Sequence, residues 1–214
     1  MIKAVLFDMD GTLIDTEKYY AVYKQKAARE AGYRMSLELI YDMRSKCSKF
    51  ARTQLKEIYG EEFDYEAFTN RRKELMQEHV EKYGLELKPY VRETVQELRR
   101  RGYQTAVVTA TAEERAMKYL KLTGLIDLFD EVVCASMVEN GKPCPDEYIY
   151  ACEKIGYKPE ECAAVEDSPN GVTSAWGAGC QVIMIPDLTH PNDDTVAKTW
   201  HVADNLKEIL SILP

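Results

Sequence analysis

The chain has 214 residues, 45% of them hydrophobic and 30% charged, with a formal net charge of −8. That length suits one large domain or two modest ones with a sizeable core, and the acidic balance argues against a nucleic-acid backbone or an anionic membrane surface as a partner. No apolar run approaches the ~18 residues of a membrane span. The first is broken at Asp8, too early for a signal peptide, so a cytoplasmic location is expected.

Lys3 to Phe7 is an apolar strand that stops on Asp8-Met9-Asp10-Gly11-Thr12. Residues at i and i+2 of a strand share a side, so both carboxylates reach one point at its end. Such a pair suits phosphoryl transfer, one aspartate attacking phosphorus and the other moving a proton beside a magnesium ion. It is equally what an acidic strand-to-loop turn punctuated by glycine contains. From about Asp15 to Lys88 the pattern is helical, with almost no strand signal. The spacing predicts one helix from Thr16 to Ala31 stopped by Gly32, and a second after Ser48 through Ala51, Leu55, Ile58 and Tyr59 to Gly60. A third runs from Asp64 through Phe68, Leu75, Met76, His79 and Tyr83 to Gly84. Together they form a small bundle inserted after the first strand, and the connections near Ile14–Asp15 and Leu87–Pro89 make a two-strand hinge.

Val91, Val95 and Leu98 then mark a helix closed by Gly102. The runs Gln104 to Thr109, Glu131 to Ala135, Cys162 to Glu166 and Gln181 to Ile185 are apolar on both faces, as strands of a buried parallel sheet are. Pro145 opens a further helix, with Ile149, Cys152 and Ile155 on one side and Gly156 as its stop. Strand alternating with helix predicts an α/β fold, a Rossmann-like open, mainly parallel sheet with right-handed crossovers. Ligands of such sheets bind outside the carboxyl ends of the strands. The six cysteines, Cys47, Cys134, Cys144, Cys152, Cys162 and Cys180, are scattered without a Cys-x-x-Cys pair and read as reduced thiols.

Three more features fall at those strand ends or just beyond. Thr109 closes Val107-Val108-Thr109, where a hydroxyl could bond a phosphoryl oxygen, or where Thr109 or Thr111 could cap the next helix. Lys142 sits in Asn140-Gly141-Lys142-Pro143-Cys144-Pro145, a stiff loop in which a lysine is more often a solvated charge. Glu166-Asp167 ends Ala163-Ala164-Val165 and leads into Ser168-Pro169-Asn170-Gly171. This acidic pair reads as a loop with a helix cap, or as the oxygen ligands that a hard magnesium ion requires.

With Asp8/Asp10, Thr109, Lys142 and Glu166/Asp167 in that order, the sequence resembles the haloacid-dehalogenase-like hydrolases. Within them it is similar to the β-phosphoglucomutase-like branch, which carries a helical cap after the first strand. The stretch Asp8-Met9-Asp10-Gly11-Thr12-Leu13-Ile14-Asp15-Thr16 looks like the first family motif, Thr109 the second, Lys142 the third and Glu166-Asp167 the fourth. The resemblance implies a core domain of residues 1–14 and 88–214 and an inserted helical cap of residues 15–87. It implies Asp8 as a nucleophile forming an aspartyl-phosphate and Asp10 as general acid/base, with Mg2+ held by Asp8, the Asp10 carbonyl oxygen, Asp167 and Glu166. It further implies that Thr109, Lys142 and backbone N–H groups around Met9, Asp10 and Ala110 hold the phosphoryl oxygens. Asp10 sets the chain apart from the metal-free dehalogenases of the superfamily, which lack that carboxylate. No cap lysine is marked by an apolar context for phosphonate cleavage through a Schiff base.

In this branch the cap is the specificity element. The candidates for substrate contact are Thr16, Glu17 and Tyr20, with Arg44, Lys46 and Lys49 from the basic run Arg44 to Arg52. That run either holds a second anionic group of the substrate or is a solvated helix start. The mutases of the branch carry a histidine where this chain has Tyr20 and a lysine where it has Ala112. The resulting expectation is a magnesium-dependent phosphomonoester hydrolase for a small phosphorylated metabolite such as a sugar phosphate. It would act as a monomer or weak homodimer, with neither nucleic acid nor membrane as partner. The alternatives are a β-phosphoglucomutase-type isomerase and a non-catalytic binding or regulatory protein on the same scaffold.

Overall fold

The computed structural model describes residues 1–213. Its strands are β1 (Ala4–Phe7), β2 (Gln104–Thr109), β3 (Glu131–Cys134), β4 (Cys162–Glu166), β5 (Gln181–Met184) and β6 (His201–Val202). They form one sheet in the order β3-β2-β1-β4-β5-β6, each neighbouring pair parallel. The predicted α/β class is therefore correct. Four helices, α1 (Glu17–Glu30), α2 (Leu37–Asp42), α3 (Ser48–Tyr59) and α4 (Tyr65–Tyr83), intervene between β1 and β2. After them come α5 (Val91–Arg100), α6 (Glu113–Leu122), α7 (Asp146–Ile155), α8 (Pro169–Ala178), α9 (Asp193–Ala197) and α10 (Ile209–Ile212). Among the elements not anticipated, α2, α9, α10 and β6 are too short to display a period.

Alternation along β1 divides the core. Val5 and Phe7 face α5, α6 and α10 together with Val107 and Val165, while Ala4 and Leu6 face α7 and α8 with Val108 and Ala164. Each fully buried Val, Leu or Phe contributes about 1.5–3 kcal/mol, and these strands have no wet face. β1 lies between β2 and β4, so the chain departs to opposite sides of it and a crevice opens at its carboxyl end. Phe7 is in register with both Val107 and Val165. That register sets Asp8 level with Val108 and Glu166, with Thr109 and Asp167 one residue further on.

The inserted helices have their own core, built from Ala27, Ile40, Leu55, Phe63, Phe68 and Leu75. Ser36 and Asp64 cap α2 and α4, accepting from the backbone N–H of Leu39 at 3.2 Å and Ala67 at 2.9 Å, contacts worth about 0.5–2 kcal/mol each. Tyr20, Met76 and Val80 pack into the core of the sheet as well, which ties α1 and α4 to it. The two connecting segments pair with each other. The Asp15 N–H donates to the Glu86 carbonyl at 2.9 Å and the Lys88 N–H to the Leu13 carbonyl at 3.0 Å, flanking a bridge between Ile14 and Leu87.

Candidate active site at the carboxyl edge of the sheet

Asp8, Lys142, Glu166 and Asp167 meet at the carboxyl ends of β1 and β4, each almost wholly buried. Lys142 Nζ donates to Asp8 Oδ1 at 2.6 Å, Glu166 Oε1 at 2.7 Å and the Val108 carbonyl at 2.9 Å. Its three protons are thereby directed. Glu166 Oε1 also accepts from the Tyr148 hydroxyl at 2.6 Å, and Glu147 Oε1 accepts from the Lys142 N–H at 3.2 Å, so α7 supports the lysine loop from beneath. Each carboxylate still has an oxygen without a hydrogen-bond partner among the described residues: Asp8 Oδ2, Glu166 Oε2 and Asp167 Oδ1. One oxygen from each lies within 4.8 Å of the others, the geometry of a site for one cation. Glycines clear the space around this cluster. Gly11 has φ +94°, and a Cβ there would stand 2.5 Å from Asp167 Oδ2; a side chain at Gly171 would collide with the Glu166 carboxylate.

Electrostatics follow from this burial. Desolvation raises the Asp8 carboxyl well above its usual range, Lys142 opposes the shift, and Glu166 and Asp167 add to it. Asp167 is raised in the same way, with Arg44 opposing. For Lys142, burial works against the charge, but Asp8, Glu166 and Glu147 outweigh it and hold the ammonium above its ordinary value.

Asp10 is oriented differently. Its Oδ1 accepts from Thr16 Oγ1 at 2.6 Å and its Oδ2 from Thr111 Oγ1 at 2.7 Å, so two hydroxyls hold the carboxylate in one orientation. The metal-ligand geometry of the carboxylates therefore involves Asp8, Glu166 and Asp167, with the Asp10 side chain engaged elsewhere. Thr109 Oγ1 accepts from the Thr111 N–H at 3.1 Å, leaving its own proton free to donate. The backbone N–H groups of Met9, Asp10 and Ala110 donate to no backbone carbonyl among the described residues, which suits them to receive an anion.

A cavity of about 110 Å³ lies between this edge and the inserted helices. Glu17, Tyr20 and Lys46 line it, as do Asp8, Asp10, Thr109 and Ala110. The other three candidates for substrate contact depart from expectation. Thr16 is committed to Asp10. Arg44 is fully buried, with Nη1 on Asp167 Oδ2 at 3.0 Å and Nη2 on Thr189. Lys49 reaches Asn140 Oδ1 at 2.9 Å, on the Lys142 loop. The segment between α2 and α3 is thus clamped onto the core: Asn170 Nδ2 donates to the carbonyls of Asp42 at 2.7 Å and Arg44 at 2.9 Å, and the Cys47 N–H to that of Lys142 at 2.9 Å. The sequence reading missed Lys24, Arg72 and Arg115 in the cavity wall, and Tyr148 behind Glu166. Each looks like an ordinary helix residue when read along the chain.

Residues 2–179 match the family model of the haloacid dehalogenase-like hydrolases. A phosphorylated-carbohydrate phosphatase of Thermotoga maritima is 30% identical, over 98% of this chain and 100% of that protein. The pyrophosphatase PpaX of Halalkalibacterium halodurans is 31% identical, over 86% of this chain and 83% of that protein. The crystal structure of CbbY from Rhodobacter sphaeroides in complex with phosphate shares the fold, with a TM-score of 0.81 and 24% identity over 98% of this chain and 96% of that one.

Proposed function

From the premise that this chain belongs to the haloacid dehalogenase-like hydrolases, we propose that it is a magnesium-dependent phosphomonoester hydrolase. It acts on a small phosphorylated metabolite through an aspartyl-phosphate at Asp8, and the helices of residues 15–87 serve as its cap. The observation that carries this reading is the set of buried carboxylates at one sheet edge, each with a free oxygen, beside an aspartate oriented by two hydroxyls. Three hard oxygen donors within 4.8 Å of one another fit a magnesium ion. Asp8, Glu166 and Asp167 would hold it, together with the Asp10 carbonyl. When bound it neutralises charge between carboxylate and phosphate.

The residues of the chain supply the rest. The Asp8 carboxylate attacks phosphorus and the bond to the leaving oxygen breaks, Asp10 giving its proton to that oxygen. Water then attacks the phosphorus of the aspartyl-phosphate, Asp10 takes its proton, and inorganic phosphate leaves with the Asp8 carboxylate restored. Thr16 and Thr111 hold Asp10 in line for both transfers. Thr109 and the N–H groups of Met9, Asp10 and Ala110 receive the phosphoryl oxygens. Lys142 holds the Asp8 and Glu166 carboxyl groups side by side. Hydrolysis is favoured over isomerisation because Tyr20 and Ala112 stand where the resembling mutases hold a histidine and a lysine.

The test is release of inorganic phosphate from a panel of phosphorylated metabolites and p-nitrophenyl phosphate, with and without magnesium. Metal-dependent release that Asp8→Asn abolishes supports the reading. Isomerisation stimulated by a sugar bisphosphate and outrunning phosphate release overturns it.

A further inference from the structure

One wall of the cavity carries three cations without an ion-pair partner among the described residues. Lys24 lies one turn beyond Tyr20 on α1, Arg72 comes from α4 and Arg115 from α6. The Arg72 guanidinium stands over the Tyr20 ring, 5.3 Å from its centroid. Arg115 Nη2 donates to Thr111 Oγ1 at 3.3 Å, and its buried Nε donates to nothing among the described residues. Among those residues no carboxylate lies within ion-pair distance of any of the three, although Glu17 faces Lys24 from further away. Burial disfavours the charged form of Lys24 and of Arg72. Arg72 adds to this at Lys24 and Arg115 adds to it at Arg72, whereas Tyr20 and Asp10 favour the charge of Arg115 against its burial.

The contrast with the basic run nearby is direct. Arg44 is paired with Asp167, Lys46 with Asp42 at 3.2 Å and Arg52 with Glu66. An oxyanion among Lys24, Arg72 and Arg115 would relieve the repulsion felt at Lys24 and Arg72 and accept the unmet donors. The planar fork of a guanidinium fits a phosphate or carboxylate through two parallel bonds. Asp8 and Asp10 line the same cavity, so a phosphate seated on Asp8 directs the rest of its molecule toward these cations.

We propose that Lys24, Arg72 and Arg115 form a subsite for a second oxyanion on the leaving group. The preferred substrates are then small metabolites with two anionic groups: sugars bearing a second phosphate, or phosphorylated acids bearing a carboxylate. This inference rests on the hydrolase reading above.

Phosphate release is compared for three substrates with the same primary phosphomonoester: a sugar bisphosphate, a phosphorylated sugar acid of similar length, and a neutral sugar monophosphate. The two-anion substrates are expected to exceed the monophosphate by roughly ten-fold or more in kcat/KM, and the better of them identifies phosphate or carboxylate as the partner. Arg72→Ala and Lys24→Met should each shrink that preference, mainly through KM, and Arg72→Lys should restore part of it. No preference in the unaltered protein, or an equal loss on all three substrates in both variants, overturns the subsite. A titration that needs no turnover decides the same question: the sugar bisphosphate is added to Asp8→Asn protein with and without Arg72→Ala. A roughly ten-fold loss of affinity supports the subsite, and an unchanged affinity overturns it. Should no phosphomonoester be hydrolysed, the hydrolase reading falls and this titration still decides the subsite.

Discussion

The sheet edge and the cavity wall facing it are built on opposite electrostatic plans. At the edge both buried cations have counter-charges within hydrogen-bond reach: Lys142 between Asp8 and Glu166, Arg44 on Asp167. On the wall, Lys24, Arg72 and Arg115 have none among the described residues. Buried ion pairs contribute little net stability, because desolvation offsets their attraction. The network at the edge therefore matters for positioning, and the arrangement exists before any substrate arrives. On the proposed reading, the wall leaves its balance to be completed by a solute. The chemistry is preorganised and recognition is left open, which is how one fold can keep its reaction while changing its substrate.

The largest effect should come from breaking the edge at its centre. On the proposed mechanism Asp8→Asn removes the nucleophile, and it should abolish turnover with the melting transition still cooperative. Activity above a small residue would show that the edge is not the reacting centre. Asp10→Asn should cost roughly 10²- to 10⁴-fold, and less for substrates with good leaving groups, which need little protonation. Equal losses on good and poor leaving groups would remove Asp10 from that role. Thr111→Val deletes one of the two bonds that orient Asp10 and should cost about ten-fold in kcat, the size of one charge-assisted hydrogen bond.

The proposed metal dependence sharpens the comparison further. Asp167→Ala should raise the magnesium concentration needed for half-maximal activity, because a carboxylate with a free buried oxygen is lost. Arg44→Met should shift it the other way, since Arg44 neutralises that same carboxylate at 3.0 Å. Magnesium binding measured calorimetrically on both variants checks the pair, and shifts of the same sign would break the argument.

The smallest effect is one of pH. Burial raises Asp8 and Asp167 above the usual carboxylate range, so the metal-free folded protein holds protons that the unfolded chain has already released. Its stability from these groups is present below the unfolded pKa and falls as pH rises through the folded one. Exposed pairs such as Glu97 with Arg100 have the opposite sign, lowering the Glu97 carboxyl to about 2, and their contribution is lost in acid. Melting with and without magnesium cancels that common background. The increase in Tm on adding magnesium should be larger near about pH 8 than near about pH 5, and an increase independent of pH would contradict it.

Sequence alone determined the parts whose geometry is local. Strands of a buried parallel sheet show as apolar runs, and backbone pairing fixes their register, so acids closing β1 and β4 had to emerge at one edge. The inserted helices were equally legible from their periods and glycine stops, whereas the short α2 and β6 were not. Tertiary structure decided where the long cationic side chains go. Arg44 to Arg52 is contiguous in sequence and read either as a site for an anion or as a solvated helix start. The chain turns at Ser45, with φ 53°, and directs Arg44 to Asp167 and Lys46 to Asp42. Lys24, Arg72 and Arg115 lie far apart along the chain, each resembling a solvated helix charge, and converge only where α1, α4 and α6 meet around the cavity. Backbone hydrogen bonding propagates along neighbouring residues and leaves a periodic trace. The meeting of flexible side chains depends on how helices pack against one another, which no local spacing encodes.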